Sequence, residues 1–183
     1  MRSGERCATP WRRPWRRRPE RRPRPEGGCV FCAIPYYNLR LRDPRIVWAE
    51  IAGLVNKFRA DFIWDPSDNL VGDRKWFRSF CAAKPKELKI HYTNYADAED
   101  IDEETARLLA ETGCVSVFVG MESGDPQMLK SMNKKATVED NIRAMELLQK
   151  YRIGVIAGVV IGVQGESRES LEKTVSFLKR ISE

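Results

Sequence analysis

From residue 43 onward the chain switches repeatedly between helical and strand periods. Asp43-Pro44 supplies a capping carboxylate followed by proline at the first helical position, and Val47, Ile51, Leu54 and Phe58 then recur at helical spacing. Phe62-Ile63-Trp64 reads as a short strand stopped by Asp65-Pro66-Ser67-Asp68. Asp73 caps a second helix running to about Ala83, and residues 88–93 alternate as a strand. Asp102 opens a third helix, for which Gly113 suits a left-handed C-terminal cap. Residues 115–119 are almost all apolar, as expected of a strand covered on both faces. Thr137 caps a helix carrying Ile142, Met145 and Leu148 on one side. Residues 155–163 read as a strand, and Ser167 opens a last helix with Leu171, Val175 and Leu178 inward.

Strands alternating with helices every thirty residues or so imply βαβ units, a parallel sheet and right-handed crossovers. With a strand placed before Cys29, about five parallel βα units are expected. A closed eight-unit barrel needs roughly 250 residues, so the expectation is a partial, open-edged TIM-type (βα) barrel, α/β in class, cut short on a helix at Glu183.

Residues 1–28 have no such period. They hold ten arginines, three glutamates and half of the chain's ten prolines, so they carry +7 of the net +6 and leave the remaining 155 residues at −1. The segment is expected to be disordered. Its vocabulary is also that of a GC-rich gene read out of frame, and our hypothesis is that a frameshift or mispredicted start replaces the native sequence here. The domain division is thus 1–28, an Arg/Pro-rich segment, and 29–183, the barrel. The barrel part has no basic stripe or stacking platform, so nucleic acid is not an expected partner.

The longest apolar run, residues 153–163, is too short to span a bilayer, and no apolar stretch follows the basic N-terminus as a secretory signal would require. Five cysteines, an odd number, argue against a disulfide framework and for a reducing, cytoplasmic setting. Cys81 and Cys114 fall on apolar segments and read as small core residues.

Cys29 and Cys32, two residues apart, suit iron, zinc or a disulfide. In parallel α/β sheets ligands gather at the C-terminal ends of strands. The chain's polar clusters all fall there: Asp65, Ser67, Asp68 and Asn69; His91, Thr93 and Asn94; Gly120, Glu122 and Ser123; Gly162, Gln164 and Glu166. The lone histidine, His91, reads as a structural hydrogen-bonding residue.

Residues 27–183 resemble the radical S-adenosylmethionine (radical SAM) superfamily. The resemblance rests on Gly27-Gly28-Cys29-Val30-Phe31-Cys32, on Glu122-Ser123-Gly124-Asp125 with Leu129 to Lys134 behind it, and on Gly158 to Glu166. The Glu122 segment points to the methylthiotransferase-like and cobalamin-dependent branches, and the Asp-rich turn Asp65 to Asn69 resembles that of the cobalamin-dependent branch. The resemblance implies a 4Fe–4S cluster held by three cysteines in a Cys-x-x-x-Cys-x-x-Cys pattern, with SAM on the open iron. Cys29 and Cys32 correspond to the second and third metal ligands, and Phe31 to the aromatic near adenine. The position of the first ligand holds Pro25. Glu122 and Ser123 correspond to the ribose-contacting end of the fourth strand, and Ile161, Gly162 and Val163 to the adenine-facing motif. Asp65 and Asp68 belong to the rim. Lys134 is a candidate partner of the SAM carboxylate, against the plainer reading of a solvated helix-end lysine.

Three readings follow. The first is a radical SAM core that reductively cleaves SAM and does radical chemistry on a substrate the sequence does not specify. It is supplied by a flavodoxin- or ferredoxin-like donor, with cobalamin only through a domain outside this chain. The second is a non-catalytic fragment or pseudoenzyme lacking a stable cluster. The third is an Arg-rich nucleic-acid binder, which needs residues 1–28 to be genuine.

Overall fold

A computed structural model describes residues 28–32 and 41–182. The elements run α1 (Pro44–Phe58), β1 (Phe62–Trp64), α2 (Arg74–Ala82), β2 (His91–Ala96), a 3-10 turn (Ala98–Asp100), α3 (Glu103–Thr112), β3 (Cys114–Glu122), α4 (Pro126–Ser131), α5 (Val138–Lys150), β4 (Gly154–Val159) and α6 (Arg168–Ser182). The four strands of the described residues form one parallel sheet in the order β1-β2-β3-β4, open at both edges. Sequential order with every pair parallel is the arrangement of a barrel wall that has not closed. A strand before Cys29, the Arg/Pro-rich stretch, Cys7 and Pro25 lie outside the described residues.

The caps explain where the helices start. Asp43 accepts from the Arg45 amide, Asp73 from Trp76, Asp102 from Thr105, and Ser167 from Ser170. Thr137 and Asp140 bond reciprocally in a capping box. Gly113 ends α3 at φ +93, where a Cβ would come within 2.4 Å of the Ile90 carbonyl oxygen.

One sheet face is sealed by helices. Val117, Val119 and Met121 of β3 are fully buried with Ala106, Leu109, Ala144 and Leu148. At the α1 end, Trp48 stacks on Phe80 at 4.7 Å and donates its indole N–H to the Phe80 carbonyl at 2.7 Å, which satisfies its one polar atom in an apolar place. Cys81 and Cys114 are, as expected, interior thiols, and burial pushes both up to about 12.

Two strand limits differ from the periodicity. The second described strand spans His91–Ala96, not residues 88–93. Leu88 and Ile90 enter the core from a turn in which the Leu88 amide bonds Pro85, and pairing with β1 begins only at Phe62↔His91. The last strand ends at Val159, not at residue 163. β3 runs out at Glu122, only the Val160 amide still reaches it, and the chain turns at Gly162 (φ +88) and Gly165 (φ +87). Helix α4, capped by Asp125 with Pro126 behind it, repeats the Asp-Pro signature of α1.

Candidate functional site

A cleft of about 1240 Å³ opens at the C-terminal ends of the strands and runs down beside α1. Its rim is built by the Cys29–Cys32 turn, the β1–α2 loop, the stretch after β2, and the ends of β3 and α4.

The cysteine turn is fixed from below. The Cys32 amide bonds the Cys29 carbonyl at 3.2 Å, the Val30 amide bonds the Met132 carbonyl at 3.0 Å, and the Asn133 side chain donates to the Gly28 carbonyl at 2.9 Å. Asn133 takes φ +54, a left-handed conformation that asparagine tolerates and that ends α4 against this turn. Burial raises the Cys29 thiol, Lys134 opposes this, and Asp97 and Glu122 add to it.

The centre of the rim is an ion triad. Lys134 Nζ lies 2.7 Å from Asp97 Oδ1 and 3.9 Å from Glu122 Oε1, with its side chain only 8% exposed. Burial works to lower the Lys134 pKa, but Asp97 and then Glu122 outweigh it, so the ammonium is held above its usual range. Burial pushes the Glu122 carboxyl up, partly offset by Lys134. Lys134 therefore remains charged, and Glu122 is the softer member. Glu122 sits at φ +60, rare for a residue with a side chain, and the strain turns its carboxylate toward Lys134. Gly120 makes the room: a Cβ there would fall 2.4 Å from Glu122 Oε1 and 3.5 Å from Lys134 Nζ.

Of the sequence-derived candidates, Cys29, Cys32, Phe31, Asp65, Asp68, Glu122 and Lys134 line this one cleft. Asp65 also ties its own loop, accepting from the Ser67 amide at 3.0 Å and the Ser67 hydroxyl at 2.6 Å. Lys134 is no solvated helix-end lysine. Ser123 lies outside the cleft, buried at 2.9 Å from the Thr174 hydroxyl of α6. Ile161 and Gly162 are exposed beyond β4, and Val163 packs on the small cluster of Met128, Leu129 and Met132. His91 is at the opposite, N-terminal end of β2. The periodicity missed Asp97, Glu99, Asp100 and the role of Asn69, whose amide donates to Asp97 at 3.2 Å and Asp100 at 2.8 Å. Asp97, Glu99 and Asp100 lie just past the true end of β2, so ending that strand at Thr93 hid them.

A cluster and SAM are fitted unequally by these residues. Acceptor, cation and aromatic line one cleft, as a molecule with ribose hydroxyls, a carboxylate and a purine requires. For a 4Fe–4S cluster, two thiols share one turn, but among the described residues no group of three or more His, Cys, Asp or Glu side chains is placed to hold a metal ion. Among the described residues such a site has two thiols, Cys29 and Cys32, and the sequence has proline at position 25.

A parallel, unclosed βα wall with its polar groups at the strand C-termini defines the chain as a partial TIM-type barrel with a polar cleft on its rim. The model of the Radical SAM superfamily matches residues 23–178, and the chain belongs to that family. It is 31% identical over 156 residues to the anaerobic magnesium-protoporphyrin IX monomethyl ester cyclase of Rubrivivax gelatinosus, covering 82% of this chain and 28% of that protein. It is 26% identical over 174 residues to the tRNA-2-methylthio-N(6)-dimethylallyladenosine synthase of Clostridium novyi, covering 84% and 34%. Among solved structures it resembles the radical SAM methyltransferase TsrM from Kitasatospora setae with cobalamin and a [4Fe-4S] cluster bound. The TM-score is 0.77 at 20% identity, covering 87% of this chain and 33% of that one. The cobalamin-dependent SAM radical enzyme OxsB gives 0.73 at 20% identity, covering 83% and 24%. The chain thus spans about a quarter to a third of the length of these proteins. Among the described residues no helix is long and apolar enough to cross a membrane.

Proposed function

We propose that the cleft is a SAM site and that this polypeptide, with Pro25 in its chain, does not cleave SAM. The observation that carries the first half is the convergence of Phe31, Glu122 and Lys134 on one rim from stretches about a hundred residues apart. Glu122 accepts from the ribose hydroxyls, Lys134 meets the SAM carboxylate, and Phe31 borders the adenine. Asp97 holds Lys134 in place. The relatives' names share no substrate, a magnesium-protoporphyrin ester in one and a tRNA base in another, whereas SAM is common to the family.

The second half follows from ligand count. Cys29 and Cys32 are two of the three thiolates a 4Fe–4S site needs. A complete site would draw its electron from a flavodoxin- or ferredoxin-like donor. Cobalamin, which the TsrM and OxsB structures carry, would reach this core only from another domain.

The test is anaerobic reconstitution of the chain and of its Pro25→Cys form. Iron is counted, SAM binding is measured by equilibrium dialysis, and 5′-deoxyadenosine is measured after reduction. The unaltered chain is expected to hold well under four irons and release no 5′-deoxyadenosine, and Pro25→Cys to approach about four and bind SAM. About four irons and SAM cleavage in the unaltered chain would overturn the second half of the proposal. Absence of SAM binding in a fully loaded Pro25→Cys form would overturn the site.

A further inference from the structure

The sheet's two faces differ. The helix-covered face buries most of its side chains, whereas the other face exposes a ring and a branched aliphatic chain: Trp64 is 62% exposed, and Ile156 is 49% exposed. Tyr95, Phe118 and Ile156 stand in one register row across β2, β3 and β4. Trp64 stacks on Tyr95 at 6.5 Å with planes 22° apart, and Tyr95 meets Phe118 at 4.9 Å. Gly158 keeps the floor low beside Phe118, because a Cβ there would press within 2.9 Å of its ring.

We propose that this row is a binding shelf for an extended, flat, conjugated ring system. Three observations select that occupant. The shelf crosses four strands, about 14 Å at ~4.8 Å per strand, wider than a single indole or nucleobase needs. The row's own side chains are uncharged, and toward the strand N-termini its neighbours on this face, Thr93 and Ser116, are hydroxyls bonded to each other, so the row asks for a neutral ring surface. Trp64 also lines the cleft, so the shelf is continuous with it and a ring lying there would border the SAM site. The inference rests on the SAM reading for its functional sense, as the substrate side of that site, while binding to the shelf is testable alone.

The probe is 1-pyrenebutanol, a neutral fused-ring alcohol, with N-acetyltryptophanamide as the single-ring comparator, both in equilibrium dialysis against the full chain. Saturable binding of the pyrene probe at one site per chain is expected, about tenfold tighter than the comparator. Trp64→Ala, a substitution of an exposed ring on an edge strand, should weaken it about tenfold. Gly158→Ala, which tilts Phe118, should weaken it several-fold. Val175→Asp, in the separate 390 Å³ apolar groove between α5 and α6 on the other side of the sheet, should leave it unchanged. Binding insensitive to Trp64→Ala, loss in Val175→Asp, or equal affinity for the single ring would each overturn the shelf. SAM binding by the loaded Pro25→Cys form without pyrene binding would sink the shelf alone, and pyrene binding without SAM binding would sink the SAM site and leave the shelf standing.

Discussion

Lys134→Met removes the cation of the rim and leaves a nearly isosteric apolar chain. At 3.9 Å from Glu122, with an effective dielectric of about 20, the gross attraction is roughly 4 kcal/mol. The Asp97 side chain is 41% exposed and returns to water when the lysine is gone, so its share is small. The Glu122 side chain is 12% exposed and cannot do so. Breaking a buried pair while its partner stays charged costs several kcal/mol at most, and protonation of Glu122 caps the loss, so a loss of about 2–3 kcal/mol near pH 7.5 is expected. Lys134→Met/Glu122→Gln should recover to within about 1 kcal/mol of the unaltered chain, because no unpaired charge remains. The sign with pH follows from burial, which already raises the Glu122 carboxyl, and loss of Lys134 raises it further. A raised folded-state carboxyl penalises the charged form, so the single variant's deficit is full above Glu122's folded pKa. It shrinks as pH falls through that value toward the ordinary carboxylate range. Urea unfolding of the three proteins at pH 7.5 and pH 5 is the assay. A loss below about 0.5 kcal/mol, equal losses in single and double variants, or a deficit that grows on acidification would refute the triad as described.

Two further outcomes follow from close contacts and burial. Gly124→Ala sets a Cβ 2.4 Å from the Phe177 Cβ and 2.9 Å from the Thr174 Cα. Since α6 must move bodily, a loss of about 2 kcal/mol in urea unfolding is expected, and a loss under ~0.5 kcal/mol would mean that the α6 packing is not as drawn. In iodoacetamide labelling of the native chain at pH 8 read by peptide mass, Cys81 and Cys114 should remain unmodified while Cys29 and Cys32 react. A thiol held at about 12 is thiolate only about one time in ten thousand at that pH, and prompt labelling of Cys114 would contradict its burial.

The parts of the fold legible from sequence were those decided locally. Asp43, Asp73, Asp102, Thr137 and Ser167 each cap the helix they announce, because a cap needs only its own next turn. The limits of β2 and β4 were not legible, because partner strands set them. His91 begins pairing where Phe62 stands opposite, and β4 stops where β3 ends at Glu122. The three-residue displacement of β2 had a functional cost, since it moved the apparent rim to Asn94 and hid Asp97. Glu122 and Lys134 were legible through family pattern, but their mutual approach depends on Gly120 and on a left-handed Glu122 that no periodicity reports. Ser123 matched the same pattern yet faces α6, because the turn after Glu122 sends the next side chain to the other side of the sheet.

The cysteine turn shows why the fold can be whole while its ligand set is short. Its described anchors are the Met132 carbonyl and the Asn133 side chain, and neither depends on what occupies position 25. The core on the far face of the sheet, from Val117 to Leu148, contains none of the turn's residues. The described core and the turn's described anchors thus hold without position 25, so Pro25→Cys is expected to leave unfolding unchanged while altering iron content. The sequence also permits the repair: Gly27 and Gly28 stand between position 25 and the cysteine turn, and proline's fixed φ is what the substitution removes. A Pro25→Cys form that unfolds like the parent but still holds only the iron of the parent would show that reach, and not ligand identity, limits this site.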